Sequence, residues 1–136
     1  MAQILAYNAS EPARVTDSVA IPVPLTPVGI GIAEFNLVIP SVPNFVELKA
    51  MVGIRGDVNI GSLLFRIFRD GQVIFYAQEG FESAGSEQFY LVPIQTVDPN
   101  VTPGAHAYTL SVENLTADSA ATVIGPIVFS GLAVSA

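Results

Sequence analysis

The chain has 136 residues, enough for one domain with a substantial core; 51% of them are hydrophobic and only 12% are charged. Its net charge of −7 and its five scattered basic residues argue against a nucleic-acid surface, because such surfaces need clustered cations. The sequence contains no cysteine, which excludes disulfides, thiolate catalysis and cysteine metal sites.

So apolar a composition predicts that part of the surface is covered by a neighbouring molecule. The rival explanation is membrane insertion, which we do not expect because the apolar runs are short and interrupted by Gly, Pro and Asn. The first residues also lack the positively charged and long apolar regions of a secretory signal, so we expect no export by that route.

Residues 1–14 are predicted to form an N-terminal arm, followed by a single β-sandwich domain over residues 15–136. The arm contains a strand-like piece from Gln3 to Tyr7 and turn-forming residues from Asn8 to Pro12. Because an exposed apolar strand tends to pair with another chain, we expect the arm to dock into a neighbouring subunit, with pairing inside its own sandwich as the alternative. The predicted docking residues are Ile4, Leu5 and Tyr7, and the predicted hinge residues are Asn8, Ser10 and Pro12.

The domain is predicted to consist of short strands, because Val, Ile, Thr, Phe and Tyr dominate and Gly or Pro interrupts them at short intervals. Residues 15–21 alternate as a first strand, and the proline-rich residues 22–27 follow as an extended edge or linker. Two longer strands are predicted at 28–39 and 45–54, and RGDVNIG at 55–61 is predicted to be a loop.

The clearest local signal is Asp70-Gly71 between two alternating runs, which predicts a type I′ hairpin turn because both residues must adopt positive φ. This turn sets a register with four cross-strand pairs: Phe68 with Val73, Ile67 with Ile74, Arg66 with Phe75, and Phe65 with Tyr76. In this register we expect Arg66 to contact the ring of Phe75.

Strands at 89–98, around 108–114 and at 122–134 complete the chain, the last with a bulge or bend at Pro126 and Gly131. The total of about eight antiparallel strands predicts an all-β, jelly-roll-like β-sandwich with an extended N-terminal arm. An immunoglobulin-like sandwich is the alternative fold.

No group of residues predicts catalysis, so we expect that the protein is not an enzyme. His106 is the only histidine and is predicted to be structural or solvated. Glu79, Glu82 and Glu87 are predicted to form a solvated acidic loop, because they lack the ligand pattern of a Ca²⁺ loop and the rigid placement of a glycosidase pair. We predict no catalytic residue, no cofactor and no metal site.

Three segments resemble the exosporium protein C family of Bacillus-type spores: FRIFRDGQVIF at 65–75, NVTPGAHAYTLSVENLT at 100–116 and GPIVFSGLAV at 125–134. The resemblance covers roughly residues 45–134, and the opening MAQILAYNASEP is also similar to the N-terminus of that family. It implies a structural, self-assembling protein of the spore surface, either in the exosporium or in an endospore appendage fibre. Its implied partners are copies of itself and other exosporium proteins, and assembly inside the mother cell explains the missing signal peptide.

Some spore appendages polymerise through an N-terminal connector whose cysteines crosslink neighbouring subunits. This sequence has no cysteine, so a polymer of this chain is expected to hold non-covalently. The alternative function is a jelly-roll binding module or a trimeric head that recognises carbohydrate or a surface receptor. That alternative is less favoured because there is no tryptophan, and the four tyrosines form no evident sugar platform.

Overall fold

The fold is a sandwich of two antiparallel β-sheets, seen in a computed structural model that describes residues 2–136. Its strands are β1 (Ile4–Ala13), β2 (Ile21–Pro22), β3 (Ile30–Ile39), β4 (Asn44–Val58), β5 (Gly61–Arg69), β6 (Gln72–Phe81), β7 (Phe89–Pro99), β8 (Gly104–Asn114) and β9 (Ala120–Ser135). A short 3₁₀ turn, Gly85–Gln88, precedes β7. No helix within residues 2–136 is long and apolar enough to cross a membrane.

Sheet 1 has the strand order β1-β9-β4-β7, with β2 also pairing with β9, and sheet 2 has the order β3-β8-β5-β6. The chain crosses between the sheets at nearly every connection, and the β5–β6 hairpin is the exception within sheet 2. Four long strands in each sheet, joined in this way, form the two Greek keys of a jelly roll. The predicted all-β jelly-roll class is therefore confirmed.

The core lies between the sheets because alternate side chains of every long strand point inward. In β4 these are Val46, Leu48 and Val52, all fully buried. Within sheet 2, the ring of Phe35 stacks on that of its cross-strand neighbour Tyr108, with centroids 5.4 Å apart. Across the sandwich, the Phe35 centroid lies 4.7 Å from that of Phe129 in β9.

Two predicted segments differ from the structure. Most of the predicted strand at 15–21 is a turn instead, because the backbone N–H groups of Ser18 and Val19 donate to the carbonyl of Ile124 and hold the segment against β9. The predicted loop at 55–61 is also wrong over its first part, since β4 continues to Val58 while its backbone pairs with β9.

The hairpin turn is confirmed, since Asp70 has φ 52° and Gly71 has φ 83°. The pairing of Phe68 with Val73 is confirmed as well. Beyond it a bulge shifts the register by one residue, so Ile67 faces Phe75 and the three other predicted pairs are wrong. The expected contact of Arg66 with Phe75 is replaced by an ion pair between Arg66 and Glu113.

The predicted irregularity in the last strand is confirmed at Pro126 and is wrong at Gly131, which pairs regularly with Asn8 and Leu48. Residues 124–126 of β9 bulge outward, because Val52 pairs with Ile127 while Ile54 pairs with Val123. Gly53 of β4 lies opposite this bulge, and a Cβ there would overlap the carbonyl oxygen of Gly125.

Candidate interaction surface

The predicted N-terminal arm is a strand of the sandwich itself. β1 is the edge strand of sheet 1 and pairs antiparallel with β9 of the same chain, with Tyr7 opposite Leu132 and Ala9 opposite Ser130. The structure thus has the alternative arrangement of the sequence analysis, in which the arm pairs inside its own sandwich and not with a neighbouring subunit. The boundary between an arm of residues 1–14 and a domain of residues 15–136 is corrected accordingly, with Met1 outside the described residues.

The predicted hinge is corrected too, because Asn8, Ser10 and Pro12 lie inside β1. The Asn8 side-chain Nδ2 donates to the carbonyl of Asn36 in β3 at 2.8 Å, so it ties the edges of the two sheets together. Turn-forming residues are tolerated here because an edge strand pairs along one side only, and a proline can face the unpaired side.

The three predicted docking residues divide between two environments. Leu5 is partly buried and packs against the core of its own sandwich. Ile4 and Tyr7 point outward and are 74% and 63% exposed. A role for Ile4 and Tyr7 in contacts between copies stays a prediction, and the structure leaves both side chains accessible.

Ile4 and Tyr7 belong to a larger apolar surface, which we call the outer face of sheet 1. It consists of the outward-pointing side chains of β1, β9, β4 and β7, which alternate with the core residues. Its larger apolar members are Ile4, Tyr7, Phe45, Met51, Phe89, Leu91, Pro93, Val97, Pro99, Val128, Leu132 and Val134. Leu91 is 61% exposed and Val97 is 53% exposed, so no part of the described chain covers them.

One ion pair lies in the middle of this face, on the outer side of β4. The Nζ of Lys49 is 3.0 Å from Oε1 of Glu47, and the side chains are 58% and 40% exposed. Lys49 is flanked across the sheet by Ser130 and Gln95. An exposed pair of this kind contributes at most about 1 kcal/mol to folding, so it leaves both charges available to a neighbour.

The excess negative charge lies elsewhere. Within residues 2–136 each of the five basic side chains contacts a carboxylate: Arg14 contacts Glu11, Lys49 contacts Glu47, Arg55 contacts Asp57, Arg66 contacts Glu113, and Arg69 contacts Asp98. The remaining carboxylates belong to Asp17, Glu34, Asp70, Glu79, Glu82, Glu87 and Asp118. None of these seven belongs to a strand of sheet 1, although Asp17 lies close to Arg55 of β4. The outward charges of the sheet 1 strands are paired, so this face is close to neutral in an acidic protein.

Two shallow depressions interrupt the face and could receive protruding side chains. One of about 400 Å³ lies beside the β9 bulge and is lined by Thr16, Ile54, Phe89, Tyr90, Leu91, Ile124 and Gly125. The other, of about 290 Å³, lies beside the ion pair and is lined by Lys49, Ala50, Met51, Pro93, Ile94, Gln95 and Val128.

The outer face of sheet 2 has a different chemistry. Its central charge, Glu113, is only 1% exposed and is paired with Arg66, while its second oxygen, Oε2, has no hydrogen-bond partner among the described residues. Gly29 lies beside Glu113, since Ile30 pairs with Val112 and a Cβ at position 29 would lie 3.9 Å from the Cβ of Glu113. This covered ion pair is part of the folded structure and not a free surface.

A second polar network, of hydrogen bonds and an ion pair, joins β7 to β8 and β5 between the two sheets. Asp98 accepts a hydrogen bond from the hydroxyl of Tyr108 at 2.8 Å and contacts Nη1 of Arg69 through both oxygens at 2.5 Å. Burial, reinforced by the hydrogen bond to Asp98, raises the pKa of Tyr108 far above its ordinary value. The neutral phenol therefore acts as a buried hydrogen-bond donor to Asp98.

His106 of β8 contacts Asp70 in the β5–β6 hairpin turn. Its Nδ1 is 2.6 Å from Oδ2 of Asp70, and its Nε2 is 2.7 Å from the carbonyl oxygen of Thr102. The hydrogen bond to Asp70 raises the pKa of His106, and the backbone N–H of Ala107 lowers the pKa of Asp70. Both partners of His106 are acceptors, so the arrangement favours the imidazolium form.

The predicted acidic loop is partly ordered, because β6 continues to Phe81 and the 3₁₀ turn covers Gly85–Gln88. A hydrogen bond with the Glu87 carboxyl raises the pKa of Glu82. No group of three or more His, Cys, Asp or Glu side chains in the described part of the chain could hold a metal ion.

No family model matches this chain, and no curated protein matches it. Among solved structures, it is similar to dimeric latent PorU from Porphyromonas gingivalis, with a TM-score of 0.57, 9% identity, and coverage of 96% of this chain and 13% of that one. It is also similar to infectious bursal disease virus, Gx strain, with a TM-score of 0.58, 15% identity, and coverage of 98% and 32%.

A third similar structure is that of T=1 particles derived from infectious bursal virus, with a TM-score of 0.51, 15% identity, and coverage of 98% of this chain and 35% of that one. The chain thus spans about a third or less of the proteins to which it is similar. At these identities the likeness shows the fold alone, and it places this chain among jelly-roll β-sandwiches.

Proposed function

We propose that this protein is a non-catalytic structural subunit of a spore surface layer and that it self-assembles through the outer face of sheet 1. The observation that carries the proposal is this uncovered apolar face, which includes Tyr7, Leu91 and Val97 at more than half exposure. Contiguous apolar patches of this kind are rare on soluble monomers and mark sites of protein contact.

The size of the face fits a contact between proteins. Four strands spaced about 4.8 Å apart, each roughly ten residues long at about 3.4 Å per residue, cover about 600 Å². Two such faces bury roughly 1,200 Å² when they meet, at the lower end of the range for stable interfaces. We therefore expect association that depends on protein concentration.

The spore surface is proposed from the resemblance of the segments at 65–75, 100–116 and 125–134 to the exosporium protein C family. That resemblance also makes other exosporium proteins candidate partners. The similarity to virus-derived T=1 particles supports the idea that this fold can form assemblies. Assembly through this face does not depend on a connector, since β1 lies in the sheet and offers Ile4 and Tyr7 from there.

The proposal is tested by sedimentation velocity and negative-stain microscopy of the full chain over a wide concentration range. We expect the native protein to associate and Tyr7→Lys to weaken association at least about tenfold, because a lysine would be buried without a partner. The matched control is Tyr76→Lys, since Tyr76 is 70% exposed on the outer face of sheet 2. This control should associate like the native protein.

A native chain that stays monomeric at the highest concentration would overturn self-assembly. Equal loss in the Tyr7 and Tyr76 variants would overturn the assignment to sheet 1. Thermal unfolding of each variant establishes that it is folded, and we expect little change because both tyrosines are solvent-exposed.

A further inference from the structure

The outward residues of sheet 1 follow a pattern along three neighbouring strands whose ends are alike and whose central charges on β4 are opposite. In chain order they read Phe45-Glu47-Lys49-Met51 on β4, Pro93-Gln95-Val97-Pro99 on β7 and Val128-Ser130-Leu132-Val134 on β9. In each strand an apolar residue stands at both ends of the series. The centres of all three series lie at one level, because Leu48 pairs with both Thr96 and Gly131.

From this pattern we infer that two copies of the chain pair face to face through sheet 1, with their β4 strands antiparallel across the interface. The two-fold axis lies between sheet 1 of one copy and sheet 1 of the other. It runs perpendicular to the strands at the level of Leu48. Glu47 of each copy then opposes Lys49 of the other. This inference rests on the proposed function, since it specifies the partner and the geometry of the same face.

The geometry follows from the requirements of a symmetric contact. A two-fold interface brings one patch against itself, and for two facing sheets the axis must lie in the plane between them. An axis along the strands places Glu47 opposite its own copy or opposite Leu132, which leaves a carboxylate without a cation. An axis across the strands at the level of Leu48 joins opposite charges on both sides of itself.

The end rows agree with this axis, while the inner rows of β7 and β9 place Gln95 opposite Val97 and Ser130 opposite Leu132. The axis sets Phe45 opposite Met51, and Val134 opposite Val128, so apolar side chains meet at both ends of the interface. Pro99 meets Pro93 in the same way. The interface therefore has apolar ends and a four-membered charge network at its centre, in which each Lys49 contacts the Glu47 of its own chain and that of the second copy.

Such a pairing closes on itself, because it uses the same face in both copies. It accounts for a dimer, and a fibre or a layer would need a second contact surface. The excess negative charge of the chain lies off this face, so repulsion between the two copies is reduced where they touch.

The test uses two charge reversals in the full chain, Glu47→Lys and Lys49→Glu, measured by sedimentation velocity. Each variant alone presents like charges to itself, so we expect dimerisation to weaken at least about tenfold. An equimolar mixture of the two should restore it, because one variant then carries cations at both positions 47 and 49 and the other carries carboxylates at both. The double variant Glu47→Lys/Lys49→Glu should dimerise on its own.

The matched control is Glu34→Lys, which changes the net charge as much as Glu47→Lys does, at an exposed site on sheet 2. This control should dimerise like the native chain. If the native chain associates but the single reversals have no effect, or their mixture stays monomeric, the two-fold geometry is wrong while self-assembly stands. If the native chain itself stays monomeric, the proposed function fails as well.

Discussion

The outer faces of the two sheets differ in how deeply each one buries its central ion pair. Each face carries an ion pair on a central strand. On sheet 2 the carboxylate of that pair, Glu113, is 1% exposed and lies beside Gly29, which directly precedes β3. On sheet 1 the carboxylate of Glu47 is 40% exposed and is surrounded by apolar side chains that nothing in the described chain covers.

The two outer faces differ in how much of their surface the chain itself covers. On sheet 2 the carboxylate of Glu113 is buried by its own chain, and next to it residues 24–26 extend the sheet by bonding to both backbone groups of Asn114 at 2.8 Å. The apolar surroundings of sheet 1 remain in water, which is unfavourable by roughly 25 cal/mol per Å². A second molecule can remove that exposure, and the chain alone does not.

We expect the largest loss of stability from a variant that removes the cation of the buried Arg66–Glu113 ion pair of sheet 2. Arg66→Met should lower the free energy of unfolding by about 3–5 kcal/mol, because it leaves the buried carboxylate of Glu113 without its cation. Urea unfolding followed by circular dichroism measures this change. The equivalent change on sheet 1, Lys49→Met, should stay within about 0.5 kcal/mol of the native protein because its partner is solvated.

The double variant Arg66→Met/Glu113→Leu separates loss of a charge partner from loss of packing. It should recover most of the stability, since replacing a whole buried pair by apolar residues is often close to neutral. If Arg66→Met and Lys49→Met cost the same, the two ion pairs do not differ in the way their burial indicates.

We expect a smaller difference in stability between alanine substitutions of one glycine in each sheet. Gly53→Ala in sheet 1 should destabilise the protein by about 1–3 kcal/mol, because the new Cβ would overlap the backbone of the β9 bulge at Gly125. Gly31→Ala in sheet 2 should be neutral or stabilising by up to about 1 kcal/mol, since its Cβ would meet only Thr109 Cγ2 at 3.5 Å. Thermal and urea unfolding measure both; equal costs would contradict this account of the bulge.

The sequence predicted the features that depend on short segments. Alternating β-branched and aromatic residues with frequent Gly and Pro indicated the all-β sandwich, and Asp70-Gly71 indicated the turn that the structure confirms. The register after Phe68 could not be predicted, because β5 must also pair with β8 and the bulge in β6 adjusts the hairpin to that pairing.

Only part of the candidate surface could be predicted from the sequence. Ile4 and Tyr7 were predicted to be adhesive, but the strand that receives β1 lies more than one hundred residues along the chain, and no local pattern identifies it. Phe45 and Met51 could have been noticed, because apolar residues fall on both sides of the β4 alternation. Their alignment with β7 and β9 required the registers of three strands distant in sequence.

The smallest expected effect concerns pH and the hairpin turn of sheet 2. The pKa of His106 is raised above 6.5, so its interaction with Asp70 stabilises the fold fully below that value and is lost as pH rises through the higher, folded-state pKa. The pKa of Asp70 is lowered below 3.8, so its contribution is lost only as pH falls through that lower value. The interaction is therefore strongest between these two reference values.

Urea unfolding of the native chain and of His106→Gln should differ more at about pH 5.5 than at about pH 9. A difference that is the same at both values would show that titration of His106 does not contribute. The outer face of sheet 1 contains no histidine, because the chain has only one. Dimerisation should therefore not follow the midpoint of this folding transition, and a shared midpoint would mean that the two faces are coupled through the core.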